Sequence, residues 1–395
     1  MESLPLWAYY ILGFPLLLGP LITLHELGHY LVGRWFGVGA KAFSIGFGKE
    51  VIGWTDGRGT RWKLSAIPLG GYVQFKGDMN PASVPTNEPT NEPEPATFGM
   101  ATEPPPADDA AVGKAFNTAP LGHRALIVFA GPAANLLITL GIFAAFFMLI
   151  GRPVAINQDE QLTIASFSEQ SAAPAAGLRV GDRLTAVDGV ALESFYDLTR
   201  AVYLYPNRDL AVTFERGSST YTRTVRTYSE EMEDRFGNVS RIGLLGIAPL
   251  AQEARYDQER LGPVAATGMA FTATYNTLDM MLTGIAQIFT GERSVSELGG
   301  PIRIGKFAGE QLSAGLTVFV QFAALISLNL AFINLLPIPA LDGGHLAFYA
   351  AEAVRRKPIG ARGQEWAFRA GMALVLMLML FVTINDLVSL PFFRS

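Results

Sequence analysis

The sequence predicts a polytopic α-helical membrane protein with four transmembrane helices, a membrane-associated β-hairpin or small sheet, and one extracytoplasmic α/β domain. Composition indicates this class, because 50% of the 395 residues are hydrophobic and only 16% are charged. Four apolar segments each match the roughly 20 residues that a bilayer crossing requires. A single water-soluble stretch separates the second segment from the third. The four segments are Leu4 to Val32, Ala125 to Ile150, Gly315 to Leu336 and Ala370 to Leu390.

The composition also excludes several chemistries. The chain contains no cysteine, so disulfides and thiolate sites are excluded, and any metal must be held by nitrogen and oxygen ligands. The net charge of −5 gives no reason to expect a nucleic-acid partner. The lipid bilayer is the partner that the composition itself indicates.

Basic residues predict the orientation of the four spans. They cluster in the loop after the first span and in the loop between the third and fourth, so by the positive-inside rule both loops are cytoplasmic. Both termini and the water-soluble stretch would then lie on the outer side. The basic residues are Arg34, Lys41, Lys49, Arg58, Arg61, Lys63 and Lys76 in the first loop and Arg355, Arg356, Lys357, Arg362 and Arg369 in the second.

The first span carries the pentapeptide His25-Glu26-Leu27-Gly28-His29. Residues four apart share one face of an α-helix, so His25 and His29 can both reach one metal ion while Glu26 lies beside it. Ionisable side chains at bilayer depth are expensive and usually functional. The span lacks a basic start and is longer than the apolar core of a secretory signal, so we expect it to be retained.

Two features are expected between the first and second spans. Alternating apolar residues over 37–77, on either side of the turn signal Asp56-Gly57, predict antiparallel strands next to the membrane. Their edge could accept an added extended strand, and Gly70-Gly71-Tyr72 would permit close backbone approach, although a purely structural hairpin also fits. Residues 78–118 are rich in Pro, Glu, Asn, Ala and Thr, which predicts a flexible cytoplasmic loop.

Residues 155–250 form the predicted soluble domain, and its motifs resemble a single PDZ domain. The resemblance rests on the segment Ala175 to Leu184, with its Gly-Asp pair, and on Val187-Asp188-Gly189. PDZ domains bind extended peptide ends by adding a strand to their sheet. A structural or size-filtering domain fits the sequence equally well.

The segment Val264 to Thr290 is apolar enough to be considered as a fifth span. Its large apolar residues recur at steps of four and three, whereas its polar residues lie mostly elsewhere, which is typical of an amphipathic helix in the membrane interface. If it crossed the membrane, the third span would run in the opposite direction and would carry Asp342 to the opposite leaflet from His25. Asp342 could then not share a metal ion with the two histidines. The apolar residues are Phe271, Tyr275, Leu278, Leu282, Ile285 and Phe289.

Two histidines are too few for a catalytic zinc, which normally takes three protein ligands and a water. A third ligand must lie far away in the sequence but at the same membrane depth. The end of the third span, from Asn329 to His345, offers Asp342 and His345. Pro337 and Pro339 interrupt the helix just before Asp342, and such irregular backbone is tolerated in a membrane where it is buried or lines a wet cavity.

Taken together, these motifs resemble the site-2 protease family of intramembrane zinc metalloproteases. The motifs resemble especially the bacterial regulator of sigma-E protease branch, which carries periplasmic PDZ domains. The resemblance covers nearly the whole chain, with one departure: many members have tandem PDZ domains, whereas this chain has room for one. The matching motifs are His25-Glu26-Leu27-Gly28-His29, Gly131-Pro132-Ala133-Ala134-Asn135 and Leu341-Asp342-Gly343-Gly344.

The resemblance implies one zinc ion per chain, with His25, His29 and Asp342 as ligands and Glu26 as general base. Zinc would lower the pKa of bound water, and Glu26 would take its proton as a peptide carbonyl is attacked. His345 is the alternative to Asp342 as the third ligand, and it is ranked below the aspartate.

The resemblance also implies that four residues at polar or irregular positions of the second and third spans bind the substrate. Interhelical hydrogen bonding would also explain the asparagines among them. His123 is expected to be merely interfacial. The implied substrate-binding residues are Asn329, Asn334, Pro337 and Asn135.

The function implied is that of an intramembrane endopeptidase in a bacterial inner membrane, with its active site toward the cytoplasm and its PDZ domain in the periplasm. Its substrates would be single-span membrane proteins, such as anti-sigma factors after a first cut, and remnant signal peptides. Peptide ends at the PDZ domain are a further expected partner. Two alternatives are an intramembrane metal transporter and a non-catalytic PDZ scaffold.

These interpretations divide the chain into eight parts. They are 1–36 and 119–151 (first and second transmembrane helices), 37–77 (strands), 78–118 (loop), 155–250 (PDZ domain), 261–311 (interfacial helix and linker), and 312–345 and 366–392 (third and fourth transmembrane helices).

Overall fold

The computed structural model describes residues 5–77, 111–233, 239–251, 255–291, 299–357 and 360–389. The chain divides into two compact units, one of Met1–Ala144 with Thr267–Ser395 and the other of Ala145–Ala266.

The N-terminal part of the first unit contains two long helices and a hairpin. Most of the predicted loop 78–118 lies outside the described residues, but its last eight residues are described and partly packed, with Phe116 buried and Lys114 bridged to Val38. The elements in order are α1 (Leu6–Trp35), β1 (Ala40–Thr55), β2 (Arg61–Phe75), a 3-10 turn (Phe116–Thr118) and α2 (Leu121–Leu149).

The second unit is a small α/β domain whose core lies between a four-stranded sheet and its helices. The strands of this sheet are, in order, Val190–Ala191, Arg183–Val187, Asp209–Arg216 and Ser219–Arg226. The unit extends beyond the predicted 155–250 because Arg152–Ala155 pairs with Tyr256–Glu259. The assignment to the PDZ class stays a prediction. The elements are β3 (Arg152–Ala155), α3 (Gln158–Leu162), β4 (Ile164–Phe167), β5 (Arg183–Val187), β6 (Val190–Ala191), α4 (Phe195–Tyr203), β7 (Asp209–Arg216), β8 (Ser219–Arg226), β9 (Tyr228–Glu233), β10 (Val239–Leu244), β11 (Ile247–Pro249) and β12 (Tyr256–Glu259).

The C-terminal part of the chain is helical. Within the described residues, four helices are long and apolar enough to cross a membrane, and they overlap the four predicted segments. They are α1, α2, α7 (Leu316–Leu335) and α9 (Ala361–Ser389). The elements are α5 (Pro263–Thr290), α6 (Pro301–Ala314), α7 (Leu316–Leu335), α8 (Asp342–Arg355) and α9 (Ala361–Ser389).

Helix α5 coincides with the segment predicted to be amphipathic and is not among those four. It buries small residues, among them Ala266 and Ala270, whereas large apolar side chains such as Phe271 and Tyr275 are exposed. An exposed apolar stripe of this kind fits a helix that lies in the membrane interface.

Helix α6 occupies residues 301–311 of the predicted linker and residues 312–314, which the sequence assigns to the third transmembrane part. It begins with Pro301 at its first turn, a position where proline costs no hydrogen bond. The carboxylate of Asp386, on α9, accepts the backbone N–H groups of Gly300 and Arg303 at 3.0 and 2.9 Å. The start of this helix is therefore stabilised by a side chain that is distant in sequence.

The hairpin β1–β2 curls on itself beside α1. Residues 42–45 of β1 pair with both ends of β2, at 61–64 and at 71–74. Phe43 and Phe75 pack with Tyr30 of α1 in a buried cluster. This packing holds the second half of β2 against the helix that carries the histidine motif.

Candidate metal centre

Three side chains with metal-ligating atoms converge where α1 meets the start of α8. The Nε2 atoms of His25 and His29 lie 3.2 Å apart, and Oδ2 of Asp342 lies 3.2 Å from the first and 3.5 Å from the second. Among the described residues, these three form a group that could hold a metal ion. The structure thus brings together the three ligands that the sequence analysis expected.

The two histidines occupy successive turns of α1, as their spacing requires. The Nδ1–H of His29 donates to the backbone carbonyl of Ile127, on α2, at 2.8 Å. Because a carbonyl can only accept, Nδ1 carries the proton and Nε2 keeps its lone pair for a metal.

Gly131 on α2 provides the space that the histidine rings occupy. A Cβ atom at this position would overlap the His29 ring and would lie 2.7 Å from Nε2 of His25. Gly28 on α1 allows the same close approach from the other side, because a Cβ there would overlap the carbonyl oxygen of Ala130. The glycines of two motifs therefore let α1 and α2 meet at the site.

Asp342 reaches the histidines because the backbone is irregular between α7 and α8. Helix α7 ends at Leu335 and α8 begins at Asp342, as the two prolines between them predict. Within this connection Ala340 has a φ of 89°, in the left-handed region that costs a non-glycine residue energy. Gly343 packs so tightly on the end of α7 that a Cβ would overlap the carbonyl oxygens of Leu335 and Leu336.

The residues present fit a zinc ion. Two imidazole nitrogens and one carboxylate oxygen are a donor set that zinc accepts, and ligands at tetrahedral positions around one zinc lie about 3.3 Å apart. The three measured separations of 3.2, 3.2 and 3.5 Å match that value. In addition, Oδ2 of Asp342 is buried and has no hydrogen-bond partner, which is costly for a carboxylate unless a cation balances it.

Glu26 lies beside this group and against β2. It is close enough to His25, His29 and Asp342 to interact with their charges, and its carboxylate accepts a hydrogen bond from the backbone of Val73. A Cβ at Gly71 would lie 3.3 Å from Cγ of Glu26. The predicted general base therefore lies between the metal-ligating group and the second half of β2.

The predicted substrate-binding residues and His345 lie outside the group of three. Asn329 and Asn334 are half-buried on α7, and Pro337 is exposed just after it. Asn135 is 0% exposed, which gives a substrate no access to its side chain, and its amide nitrogen lies 3.2 Å from Nδ1 of His25. His345 is half-buried on α8 and is not part of the group of three.

His123 does not belong to the group of three. Its ring stacks on Phe36, with the ring centroids 4.0 Å apart. The contacts that the sequence analysis missed come from α2. Ile127, Gly131 and Asn135 are spaced by four residues, so they share the helix face that meets the histidines. The sequence shows that spacing. It does not show the hydrogen bond at Ile127, because the acceptor is a backbone carbonyl, which every residue type has.

A family model described as peptidase family M50 matches residues 13–378. The chain belongs to peptidase family M50. This membership confirms the resemblance inferred from the motifs and makes the chain a metalloendopeptidase that uses zinc. Together with the four apolar helices, it also makes the chain a multi-pass membrane protein.

Several curated relatives are similar over nearly their full lengths. A protein of Agrobacterium fabrum whose name assigns it as a zinc metalloprotease is 40% identical over 381 residues, covering 96% of each chain. A Rhizobium meliloti protein with the same assignment is 39% identical, again covering 96% of each chain. Metalloprotease MmpA of Caulobacter vibrioides is 34% identical, covering 94% of this chain and 93% of its own.

Among solved structures, the PDZ domain of an SdrC-like protein from Listeria monocytogenes is 18% identical with a TM-score of 0.18. The match covers 23% of this chain and 87% of that domain.

Proposed function

We propose that this member of the family cuts single-span membrane proteins within or near the bilayer, using His25, His29 and Asp342 as zinc ligands and Glu26 as general base. One observation carries the proposal: the three ligating atoms lie within 3.5 Å of one another on helices that are apolar or adjoin apolar ones. A metal site at the ends of membrane-spanning helices suits a substrate that is itself embedded in the membrane.

The chain's own residues would divide the work of hydrolysis. Zinc, when bound, supplies a Lewis acid that acidifies water and polarises a peptide carbonyl. Glu26 would accept the proton of the attacking water and later deliver it to the leaving amine. Its hydrogen bond to the backbone of Val73 holds the carboxylate beside the ligand group.

The substrate must present an extended backbone, because a helix hides its peptide bonds from attack. The second half of β2, which lies against Glu26 at Gly71 and Val73, could receive such a segment as an added strand. Asn329, Asn334 and Pro337 would bind the same segment from the side of α7. The family resemblance extends this proposal to anti-sigma factors after a first cut and to remnant signal peptides.

The orientation we propose places the metal centre toward the cytoplasm of a bacterial inner membrane, the second unit in the periplasm and α5 in the interface. The cysteine-free sequence permits a direct test with single cysteines at exposed positions. Ser218→Cys, in the second unit, should react with a membrane-impermeant maleimide in spheroplasts. Gly57→Cys, in the hairpin turn, should react only after lysis, and the reverse pattern would contradict the orientation.

The central experiment compares two glutamate variants of the purified full chain. Glu26→Gln should bind zinc as the native chain does but fail to cleave a model single-span substrate, because an amide cannot accept the proton. Glu365→Gln, which changes a pair on α9, is the matched control and should cleave normally. Sustained cleavage by pure Glu26→Gln would refute the assigned base.

The same preparations separate the alternatives. A metal transporter would move zinc into proteoliposomes without proteolysis and would not require Glu26. A scaffold would tolerate replacement of His25 but would lose function when residues 155–250 are deleted.

A further inference from the structure

We infer that Asn135 is a positioning residue for His25, because its side-chain oxygen accepts the Nδ1–H of that histidine and leaves Nε2 free to bind a metal. The inference rests on the proposed zinc site and adds a residue to it. It also moves Asn135 from the substrate, where the sequence analysis had placed it, to the support of a ligand.

The position of the imidazole proton decides which nitrogen of His25 can bind a metal. The side-chain nitrogen of Asn135 faces Nδ1 at 3.2 Å, while Oδ1 of the same amide is buried without a hydrogen-bond partner. With the nitrogen donating, the imidazole proton would sit on Nε2, which faces His29 and Asp342 and could then not bind a metal. A half-turn of the amide, which exchanges two atoms of similar size, lets the oxygen accept from Nδ1–H.

The ring of His29 already has the support that a metal ligand needs. Histidines that bind metals almost always donate their other ring N–H to an acceptor, which fixes the ring and the proton. For His29 that acceptor is the carbonyl of Ile127. Asn135 lies two turns farther along the same face of α2. Its side-chain oxygen can accept the Nδ1–H of His25 there, as the carbonyl of Ile127 accepts the Nδ1–H of His29.

Asn135 is held in place independently of His25. Its backbone carbonyl accepts hydrogen bonds from Ser327 at 2.8 Å and from Thr139 at 3.1 Å. The Thr139 hydroxyl also lies 3.1 Å from the carbonyl oxygen of Ala324 on α7. Asn135, Thr139 and Ser327 are all 0% exposed, so this buried network ties α2 to α7 at the level of His25.

The test measures the zinc dissociation constant of the purified full chain by chelator competition, a measurement that does not depend on cleavage. Asn135→Leu, similar in size but without an acceptor, should weaken zinc binding by about 10- to 100-fold. Asn135→Asp offers only oxygen acceptors and should keep an affinity close to that of the native chain. Thr139→Val loses hydrogen bonds in the same network but does not touch His25, so it should lower the unfolding temperature without weakening zinc binding.

Each outcome bears on the inference. Native affinity in folded Asn135→Leu would overturn it. If that variant fails to fold, Asn135→Asp decides alone, because zinc binding weakened by 10-fold or more would show that the amide donates rather than accepts. A native chain that binds no zinc would instead refute the proposed function, so the two failures are distinguishable.

Discussion

The Oδ2 atom of Asp342 lies 3.2 Å from the Nε2 atom of His25, although the two residues belong to α8 and α1. Asp342 follows the C-terminal end of α7, and His25 lies two-thirds of the way along α1. Their proximity brings the connection after α7 to the level of His25 on α1. The predicted topology, with α2 crossing between α1 and α7 and with α5 in the interface, requires this proximity.

Removing the carboxylate should distinguish the two candidate third ligands. Asp342→Asn should lose zinc, because the neutral amide is a poor ligand and gives no charge to balance the cation. His345→Asn is the control and should retain zinc, since His345 lies outside the group of three. Zinc content after dialysis measures both, and loss of zinc in the histidine variant alone would reverse the assignment.

Adding one methyl group to α2 should disturb the metal centre. Gly131→Ala places a Cβ atom into the rings of His25 and His29, so we expect weaker zinc binding, less cleavage and a stability loss of about 1–3 kcal/mol. Gly141→Ala is the matched control on the same helix, because no atom lies within 4 Å of an added Cβ there. Equal effects of the two variants would show that the disturbance is a general effect of alanine in α2.

An ion pair that contains a buried carboxylate should make the second unit sensitive to acid. Asp182 is 1% exposed, and both of its oxygens accept hydrogen bonds from Arg216. Burial alone would raise the pKa of Asp182, but the hydrogen bonds from Arg216 and from the backbone of Arg179 hold the pKa below its usual range. A carboxyl with a lowered pKa stabilises the fold at neutral pH and loses that contribution as pH falls below about 4.

We therefore expect Asp182→Asn to destabilise the second unit by about 1.5–3 kcal/mol at pH 7 and to reduce its sensitivity to acid. Hydrogen exchange of β5 and β7 in the full chain measures the effect. Asp209→Asn is the control, because its pair with Arg226 is exposed and 3.8 Å long and should contribute little. A native chain with no acid sensitivity in these strands would contradict the prediction.

Helix α6 should depend on a residue of α9. Asp386→Ala removes the carboxylate that accepts the first backbone N–H groups of α6, so we expect a loss of about 1–2 kcal/mol and faster hydrogen exchange over residues 301–314. Asp279→Ala, at an exposed position on α5, should leave that exchange unchanged. Ala308 of α6 lies in one buried cluster with Leu17 and Leu21 of α1, and unaltered protection of α6 in the Asp386 variant would show that this packing is sufficient.

Much of the membrane architecture could be predicted because it depends on local properties. Long apolar runs define α1, α2, α7 and α9, since a bilayer imposes a length on any segment that crosses it. The helical repeat pairs His25 with His29, and two prolines predict the irregular connection before Asp342. The need for a third ligand then restricted the choice to the end of the third span.

Contacts between distant segments could not be predicted in the same way. Nothing near Gly300 indicates that Asp386 caps the helix after it, and the carbonyl of Ile127 is a group that almost every residue possesses. Residues 111–118 show a similar limit, because their composition resembles that of a loop whereas Phe116 is buried beside Val38.

The sequence by itself determined the chemistry of this protein: the histidine pair, the glutamate, the aspartate and the apolar helices that carry them. Only the tertiary structure decided which histidine atoms face the aspartate, that Asn135 lies against His25, and that the second half of β2 lies against Glu26. The reason is physical. Periodicity and composition report the environment of each segment, whereas ligand geometry depends on how closely helices approach, which here is determined by Gly28 and Gly131 at the contact of α1 and α2.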